Sequence, residues 1–247
     1  MNPPPIGEGL PRHVAVIMDG NGRWATQRGL SRIQGHRKGK DSVREIVETA
    51  REIGIEYLTL YAFSTENWER PGREVEALMG LLRRYLRTEV NKMMRHGIRL
   101  RAIGNLRRLP REVLSDLRDV EHRTRDNSGM TVQLAVSYGS REEILAAARK
   151  LARRVRDGDL AAEDIDEEAF AGALMTATIP DPDLLIRTSG EMRLSNFLLW
   201  QAAYTELYIT ETLWPDFRRP QFLAALAEFK KRRRRFGRTD QQLAQEA

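Results

Sequence analysis

The sequence predicts a single α/β domain in which a mostly parallel central sheet of about six strands is flanked by helices. Short β-branched and aliphatic runs alternate with longer helical patterns along the chain, which is typical of parallel sheets. The 247 residues are enough for one large domain. No internal repeat or long linker divides the pattern, so we expect one catalytic domain at 13–237, a flexible N-terminal segment at 1–12 and a C-terminal tail at 238–247.

Six apolar runs are the candidate strands. They are His13–Met18, Tyr57–Ala62, Ile98–Ile103, Thr131–Ser137, Asp183–Arg187 and Thr205–Ile209. Their composition and length are those of strands buried in an α/β domain.

Three longer segments have helical spacing. Between the first two strands, one helix face carries Val43, Ile46, Val47, Ala50 and Ile53. The segment Arg73–His96 has apolar residues on more than one stripe, which favours core packing but leaves open the wall of a hydrophobic tunnel. Ser140–Arg156 begins with a capping-box pattern, with Ser140 three residues before Glu143.

Composition narrows the class of protein. The net charge is +6, which favours anionic partners such as phosphorylated molecules, acidic lipid or nucleic acid. The basic run Lys230–Arg235 is interpreted as the solvated end of the last helix. There is no cysteine, no secretory signal pattern and no apolar run of about 18 residues. We therefore expect a soluble cytoplasmic protein that can still touch the inner face of a membrane.

The loop Asp19–Arg23 is the first candidate site, because it directly follows the first strand. Its two glycines allow backbone N–H groups to approach an anion, and a following helix N-terminus would add a positive dipole. Asp19 is suited to hold Mg²⁺ against phosphate oxygens. A dinucleotide fingerprint is excluded because Ala25 occupies the position of its third glycine.

Basic residues continue after this loop, where they oppose the helix dipole unless an anion binds there. They are Arg28, Arg32, His36, Arg37, Lys38 and Lys40. For His36, a surface histidine and a phosphate contact are equally supported.

Three further segments carry polar side chains at or near other strands. Phe63–Pro71 contains hydrogen-bonding residues, although helix capping also explains Ser64 and Glu66. Asp183–Phe197 contains two arginines suited to bidentate phosphate binding. Glu206 lies in an apolar strand and needs an arginine or a metal as its partner. Two anion pockets without a nucleophile–base pair indicate two phosphorylated substrates.

Four ordered motifs carry a resemblance to a known family across residues 13–237. They are HVAVIMDGNGRWA from His13, YAFSTENW from Tyr61, LIRTSGEMRLSNFLLWQ from Leu185, and ELY from Glu206 with LWPDF from Leu213. The chain resembles the cis-prenyltransferases, and among them the bacterial undecaprenyl diphosphate synthases. The chain departs from the family pattern in two places. Ser137-Tyr138-Gly139-Ser140-Arg141 stands where the family more often has Asn-Tyr-Gly-Gly-Arg, and Met192 occupies a variable position.

The resemblance implies a homodimer that adds isopentenyl diphosphate repeatedly to an allylic diphosphate such as farnesyl diphosphate. The product would be a long Z-polyprenyl diphosphate such as undecaprenyl diphosphate, the precursor of a lipid carrier for cell-wall synthesis, delivered to the membrane. It implies Mg²⁺ at Asp19 and Glu206, with Asn67 at the position assigned to proton removal. The allylic diphosphate would be held by Gly20, Asn21, Gly22, Arg23, Trp24, Arg32 and His36. Ser64, Thr65, Glu66, Trp68 and Arg70 would complete that pocket, and Arg187, Arg193, Leu194 and Ser195 would bind isopentenyl diphosphate.

The physical chemistry of the residues refines this expectation. Because an amide is a poor base, Asn67 is expected to orient water or diphosphate oxygens rather than to take the proton itself. Ala62 and the helix Arg73–His96 are expected to line the product tunnel. The alternatives are a non-catalytic prenyltransferase subunit, a nucleic-acid-binding protein and a phosphatase. The first would lack Asp19 or the Arg187–Ser195 segment, the second leaves both anion pockets unexplained, and the third lacks a nucleophile.

Overall fold

All six predicted strands form, and they join one sheet in the computed structural model, which describes residues 9–232. The strands are β1 (His13–Ile17), β2 (Tyr57–Ser64), β3 (Ile98–Ile103), β4 (Met130–Tyr138), β5 (Leu184–Thr188) and β6 (Glu206–Thr210). Their order across the sheet is β3-β4-β2-β1-β5-β6, and every neighbouring pair is parallel. The predicted fold class is confirmed.

Helices cover both faces of this sheet. They are α1 (Asn21–Thr26), α2 (Arg32–Glu52), α3 (Gly72–Arg95), α4 (Arg111–Thr124), α5 (Ser140–Arg156), α6 (Glu167–Ala171) and α7 (Arg219–Lys231). The sequence predicts α2, α3 and α5 closely, because their apolar residues repeat at helical spacing over many turns. Within residues 9–232, no helix has the length and apolar character required to cross a membrane.

The alternation of side chains along the strands divides the interior into two clusters. In β1, Val14 and Val16 belong to the larger cluster, which packs against α2, α3, α4 and α7. Ala15 and Ile17 point to the opposite face and belong to a smaller cluster that includes Phe197. Since β1 is buried on both faces, its sequence is a continuous apolar run.

The predicted capping box of α5 is wrong. Ser140 is the first helical residue and Gly139 is the N-cap. The Ser140 hydroxyl accepts a hydrogen bond from the Leu199 N–H at 2.9 Å. The Glu143 carboxylate accepts hydrogen bonds from the Tyr138 hydroxyl at 2.5 Å and from the Met175 N–H at 2.8 Å. Glu143 therefore joins α5 to neighbouring segments instead of capping its own helix.

Strand β2 is irregular near its carboxyl end. Tyr61 pairs with Ala135, but Phe63 pairs with the next residue, Val136, so Ala62 is the extra residue of a β-bulge. Bulges bend a strand, and this one leaves Ala62 exposed at the end of the sheet where the candidate site lies.

Part of the predicted domain plan lies outside the described residues. The segment 1–8, the boundary at residue 237 and the tail 238–247 all fall there, and the boundary after residue 12 stays a prediction. The basic run begins as expected in the last turn of α7, with Lys230 and the exposed Lys231, whereas its residues 233–235 lie outside the described part.

His13 at the start of β1 is buried and neutral. Its Nδ1 donates to the Pro180 carbonyl at 2.7 Å, and its Nε2 accepts from the Thr59 hydroxyl at 2.8 Å. Burial lowers the pKa of His13 to about 4, against an opposing contribution from the Pro180 carbonyl.

This pKa makes stability depend on pH. The unfolded chain binds a proton at His13 below pH ~6.5, whereas the folded chain does not until about pH 4. Stability should therefore be complete above pH ~6.5 and fall toward pH 4, with His13 contributing about 3 kcal/mol of the loss. Denaturant unfolding of wild type and His13→Gln at pH 7 and pH 4.5 measures this difference. Identical pH dependence in the two proteins would show that His13 is not the titrating group.

Candidate functional site

The candidate site lies at the carboxyl edge of the sheet, at the ends of β1, β2 and β5. Strand β1 has β2, which follows it in the chain, on one side, and β5 on its other side, so the strand order reverses at β1. Such a switch point opens a crevice between the loops, where ligands bind in open α/β sheets. A cavity of about 670 Å³ opens there, which is within the range of ligand-binding pockets.

The loop after β1 has the backbone that its sequence predicts. Gly20 has a φ of +103°, and its N–H donates to the Asp19 Oδ1 at 2.7 Å. A side chain at position 20 would collide with Leu213. Helix α1 begins directly after it at Asn21, and Gly20, Asn21 and Gly22 line the cavity.

An ion pair between a buried arginine and a partly exposed carboxylate connects the two predicted anion pockets. Arg187, at the end of β5, is only 3% exposed, and its Nη2 donates to the Asp19 Oδ2 at 3.0 Å. Its Nη1 donates to the Ser195 hydroxyl at 2.7 Å and to the Arg193 carbonyl. The two pockets predicted from separate strands are therefore two halves of one site.

The loop after β5 is held in an unusual backbone conformation. Ser189, Ser195 and Asn196 have φ values of 76°, 49° and 60°, in the left-handed region that residues with side chains seldom adopt. Such residues cluster at binding sites, where surrounding contacts hold them in place. Here those contacts include Arg187 on Ser195 and the bond from the Arg23 Nη2 to the Ser189 hydroxyl at 2.6 Å.

Glu191 holds two arginines of the predicted pockets. Its carboxylate accepts from the Arg23 Nη2 at 3.1 Å and from the Arg193 Nη1 at 2.5 Å. Both guanidinium groups are about half exposed, so these pairs are weak. A bound diphosphate can replace the Glu191 carboxylate with little loss of stability. In the sequence, Glu191 lies between Arg187 and Arg193, and this position is the signal that could have identified it.

Across the cavity, Glu74 of α3 holds a second pair of arginines. Its carboxylate lies 3.5 Å from the Arg32 Nε and 3.2 Å from the Arg70 Nη1. His36 lies beside them on α2, and its buried Nε2 has no hydrogen-bond partner among the described residues. Burial, followed by the nearby Arg70 charge, lowers the pKa of His36 to about 4. Neutral His36 is therefore available to bond an anion that enters the cavity.

Asn67 caps its own short helix. It belongs to a 3-10 helix, Thr65–Glu69, and its Oδ1 accepts a hydrogen bond from the Ser64 N–H at 3.2 Å. The sequence left helix capping open for Ser64 and Glu66, and the structure shows that Ser64 and Asn67 form the cap. Arg70 pairs with Glu74. Glu66 instead accepts from the Asn196 Nδ2 at 3.0 Å.

Most of the residues singled out from the sequence line this cavity. They are Asp19, Gly20, Asn21, Gly22, Arg32, His36, Ser64, Glu66, Asn67, Arg70, Arg187, Arg193 and Ser195. Five others lie in the surrounding loops and do not line it, namely Arg23, Trp24, Thr65, Trp68 and Leu194. Trp24 bonds Asp216 through its Nε1 at 2.7 Å, Trp68 bonds the Ser137 hydroxyl at 2.9 Å, and Leu194 packs on the smaller core cluster.

Glu206 lies at the opposite edge of the sheet from Asp19. It begins β6 and pairs with Leu184 at the start of β5, whereas Asp19 follows the end of β1. A strand of this length separates the two edges by about 15 Å or more. The prediction that Asp19 and Glu206 share a metal is therefore wrong within one chain. The Glu206 carboxylate instead accepts from the Arg232 Nη1 at 2.9 Å, which is the arginine partner its sequence context allowed.

Asp19 retains the features of a metal-binding carboxylate. Its side chain is 36% exposed and lies at the cavity, next to positions that a diphosphate would occupy. Across residues 9–232, no three or more histidine, cysteine or acidic side chains form a metal-binding group. Magnesium commonly uses one or two carboxylates and completes its shell with phosphate oxygens and water, so the donor set at Asp19 fits that ion.

Helix α3 both packs into the core and lines the cavity. Leu86, Val90 and Met93 belong to the larger core cluster. Leu78 and Leu82 line the cavity, which also includes Ala62 at the β2 bulge. The cavity is therefore polar at the strand ends and apolar between α2 and α3, which supports the tunnel interpretation.

Two glycines of α2 that the sequence pattern did not single out allow a close helix contact. A Cβ at Gly35 would lie 1.9 Å from the Asn21 carbonyl oxygen, and one at Gly39 would lie 2.2 Å from the Asn21 Oδ1. They allow the start of α1 to pack directly on α2. Two glycines four residues apart inside a helix are the sequence signal for such a close approach.

Comparison with known proteins gives consistent results. A family model described as "Putative undecaprenyl diphosphate synthase" matches residues 17–237. The isoprenyl transferase of Geobacter sulfurreducens is 52% identical over 238 residues, covering 96% of this chain and 97% of that protein. The Pseudomonas aeruginosa ditrans,polycis-undecaprenyl-diphosphate synthase, named as (2E,6E)-farnesyl-diphosphate specific, is 51% identical over 96% of this chain and 95% of its own length.

Two solved structures resemble this fold. Lavandulyl diphosphate synthase from Lavandula x intermedia, in complex with dimethylallyl diphosphate, aligns with a TM-score of 0.92 at 42% identity, over 94% of this chain and 100% of that one. A probable undecaprenyl diphosphate synthase from Campylobacter jejuni aligns with a TM-score of 0.76 at 38% identity, over 93% and 99% of the two chains.

The packing of α1 on α2 can be tested with two matched glycine substitutions. Gly35→Ala should lower the free energy of unfolding by about 1–3 kcal/mol, because its Cβ meets backbone atoms of Asn21. Gly80→Ala, in the interior of α3 with no atom within 4 Å of its Cβ, should raise it by about 0.5–1 kcal/mol. Urea unfolding measures both. Equal stabilisation by the two substitutions would contradict the close approach of the helices.

Proposed function

The chain belongs to the undecaprenyl diphosphate synthase family of prenyltransferases, and we propose that the cavity at the carboxyl edge of its sheet is where it elongates prenyl chains. The enzyme condenses isopentenyl diphosphate onto an allylic diphosphate with cis geometry. The observation that carries the assignment of the site is the arrangement around the Asp19–Arg187 pair. Two arginine-bearing subsites flank it, and an apolar cavity opens beside them.

The allylic diphosphate is assigned to the subsite between α1 and α3. Gly20–Gly22 supply backbone N–H groups, and Arg32, His36 and Arg70 supply side-chain donors. The hydrocarbon of this substrate extends between α2 and α3, past Ala62. This placement is supported by the change from polar to apolar lining along the cavity.

Isopentenyl diphosphate is assigned to the loop after β5. Arg193 and Ser195 line this side of the cavity, with Arg187 buried behind them. Guanidinium groups bind phosphate oxygens in bidentate fashion, so Arg193 is suited to leave Glu191 for a diphosphate. The two substrates then lie on either side of Asp19.

The reaction follows from this placement. The bond between the allylic carbon and its diphosphate oxygen breaks, and both electrons leave with the diphosphate. The donors at Gly20–Gly22, Arg32 and Arg70 stabilise the departing charge. The alkene electrons of isopentenyl diphosphate form the new carbon–carbon bond, and a proton leaves the adjacent carbon to give the new double bond.

Asn67 is assigned an orienting role in this step. Its Oδ1 is already bonded to the Ser64 N–H, so its amide Nδ2 is the group that can face a substrate. An amide does not take up a proton at neutral pH, and we assign the proton to a diphosphate oxygen that Asn67 holds in position.

We assign Mg²⁺ to Asp19. A bound magnesium ion would supply positive charge to a departing diphosphate. The partly exposed carboxylate and the nearby phosphate subsites support this choice of ion. In a single chain Glu206 is too distant to contribute.

Substrate, product and cellular setting complete the proposal. The name of the Pseudomonas relative supports farnesyl diphosphate as starter. The product is then a long polyprenyl diphosphate of the undecaprenyl type, which serves as precursor of a lipid carrier for the cell wall. We propose that the enzyme is a homodimer, as its resemblance to the family implies. We place the enzyme in the cytoplasm, in peripheral contact with the membrane to which it delivers its apolar product. Nucleic acid has no part in this function.

Incubation with labelled isopentenyl diphosphate, farnesyl diphosphate and Mg²⁺ tests the proposal. Long-chain products should form, and chelation of the metal should stop their formation. Asp19→Ala should lower the rate of elongation about 100-fold or more, because it removes the carboxylate to which we assign the Mg²⁺ that would stabilise the departing diphosphate. Asp119→Ala, an exposed acid on α4, is the matched control and should behave as wild type. If no allylic starter is elongated by the wild-type protein, the proposed function is wrong.

A further inference from the structure

A groove of about 470 Å³ is present on the surface, between the segment 33–40 of α2 and the segment 77–84 of α3. We call it the basic groove. Lys40 and Leu81 line both this groove and the cavity of the candidate site, so the two lie next to each other. The other residues of the groove do not line that cavity.

The cations of the basic groove have no acidic partner. They are Arg37, Lys40 and Arg84, and within residues 9–232 none of the three forms an ion pair or a side-chain hydrogen bond. No acidic residue of that range lines the groove. Positive charges gathered without a counter-charge repel one another, so this surface is suited to an anionic partner.

Neighbouring cations on the same two helices are paired. The Lys38 Nζ of α2 lies 3.1 Å from the Asp41 Oδ2. The Arg83 Nη1 of α3 lies 2.7 Å from the Glu112 Oε2, and its Nε lies 2.9 Å from the Asp116 Oδ2. The chain therefore balances the charges beside the basic groove and leaves those inside it without a counter-charge.

Aliphatic side chains accompany the cations. Ile33 lies one turn before Arg37 on α2, and Ala77 and Leu81 lie on successive turns of α3. These three apolar side chains are partly buried. No atom lies within 4 Å of the position of a Cβ at Gly80, so the groove is open on the α3 side. Basic residues beside aliphatic ones on helices are typical of surfaces that lie on anionic membranes.

A lipid surface fits the basic groove better than a free phosphate ion or a nucleic acid. Arg37 and Arg84 are exposed, and exposed charges hold a single ion weakly because water and salt screen them. A membrane instead presents many phosphates at once, together with apolar chains for the aliphatic side chains. No aromatic residue within 9–232 lines the groove, whereas surfaces that bind single-stranded nucleic acid commonly stack bases on aromatic rings.

We propose that the basic groove is the surface on which this enzyme docks to a membrane that contains anionic phospholipid. The phosphates of the headgroups contact Arg37, Lys40 and Arg84, and the aliphatic side chains face the start of the acyl chains. Because the groove adjoins the candidate site, docking brings that cavity to the lipid that receives the product. This inference rests on the proposed function and assigns a surface to its membrane contact.

Sedimentation with vesicles tests the inference. The full-length protein should bind vesicles of mixed phosphatidylglycerol and phosphatidylcholine at low salt, and it should not bind vesicles of phosphatidylcholine alone. Arg84→Glu should weaken binding about fivefold or more, because each basic residue near an anionic surface strengthens binding by about that factor. Arg37→Glu added to it should weaken binding by about fivefold again. Arg84→Lys keeps the charge and should bind as wild type.

Two controls make the same kind of charge reversal elsewhere. Arg154→Glu changes an exposed arginine of α5, outside the groove, and should leave vesicle binding at the wild-type level. Lys230→Glu changes the basic run at the end of α7, which is the rival membrane surface, and should also have little effect. If Arg84→Glu does not fold by circular dichroism, Arg84→Gln is measured instead and should also weaken binding.

Three results would overturn the inference. They are the absence of vesicle binding by the wild type, equal binding by wild type and folded Arg84→Glu, and a loss of binding in Lys230→Glu alone. Displacement of the protein from vesicles by a DNA duplex, but not by salt of equal ionic strength, would assign the groove to nucleic acid and overturn it too. Elongation of an allylic starter in solution is measured separately. Its absence overturns the proposed function, whereas its presence leaves that function standing whatever the vesicles show.

Discussion

The ion pair between Asp19 and Arg187 is the interaction on which the site depends. A guanidinium group that is 3% exposed must be compensated, and Asp19 provides the opposite charge from a different strand. The pair fixes the loop after β1 against the loop after β5 just beyond the sheet. It is reinforced by the Thr188 hydroxyl and the Trp214 N–H, which both donate to the Asp19 carbonyl. The two diphosphate subsites keep their separation because this contact is fixed.

Other carboxylates of the site hold arginines that a bound diphosphate could take over. Glu191 holds two arginines whose side chains are about half exposed, and such contacts are readily replaced by a ligand. Glu74 is 13% exposed, and it holds Arg32 and Arg70, which are partly exposed. The site therefore combines one pair, formed by the buried Arg187, that sets geometry with exposed pairs at Glu191 that a diphosphate can displace.

The sequence predicts the central architecture because buried strands and long amphipathic helices have strong periodic signals. All six strands and helices α2, α3 and α5 agree with it. The capping box of α5 was wrong because Glu143 is used by Tyr138 and Met175, which are brought to it by the tertiary fold. Local pattern cannot show which of two possible partners a carboxylate will take.

The candidate site was predictable where residues directly follow strands, as Asp19 and the Ser64–Arg70 segment do. Glu206 was misassigned because its strand places it at the amino edge, a position that the predicted strand limits already implied. Trp24 and Trp68 lie outside the cavity because their indole N–H groups bond Asp216 and Ser137, which no local pattern reveals.

The two sides of the Asp19–Arg187 pair are proposed to bind two diphosphates at the same time. Calorimetric titration of isopentenyl diphosphate into protein saturated with Mg²⁺ and an unreactive thio analogue of farnesyl diphosphate measures this. Isopentenyl diphosphate should still bind, at one molecule per chain, without releasing the analogue. Binding of isopentenyl diphosphate only by displacement of the analogue would contradict it.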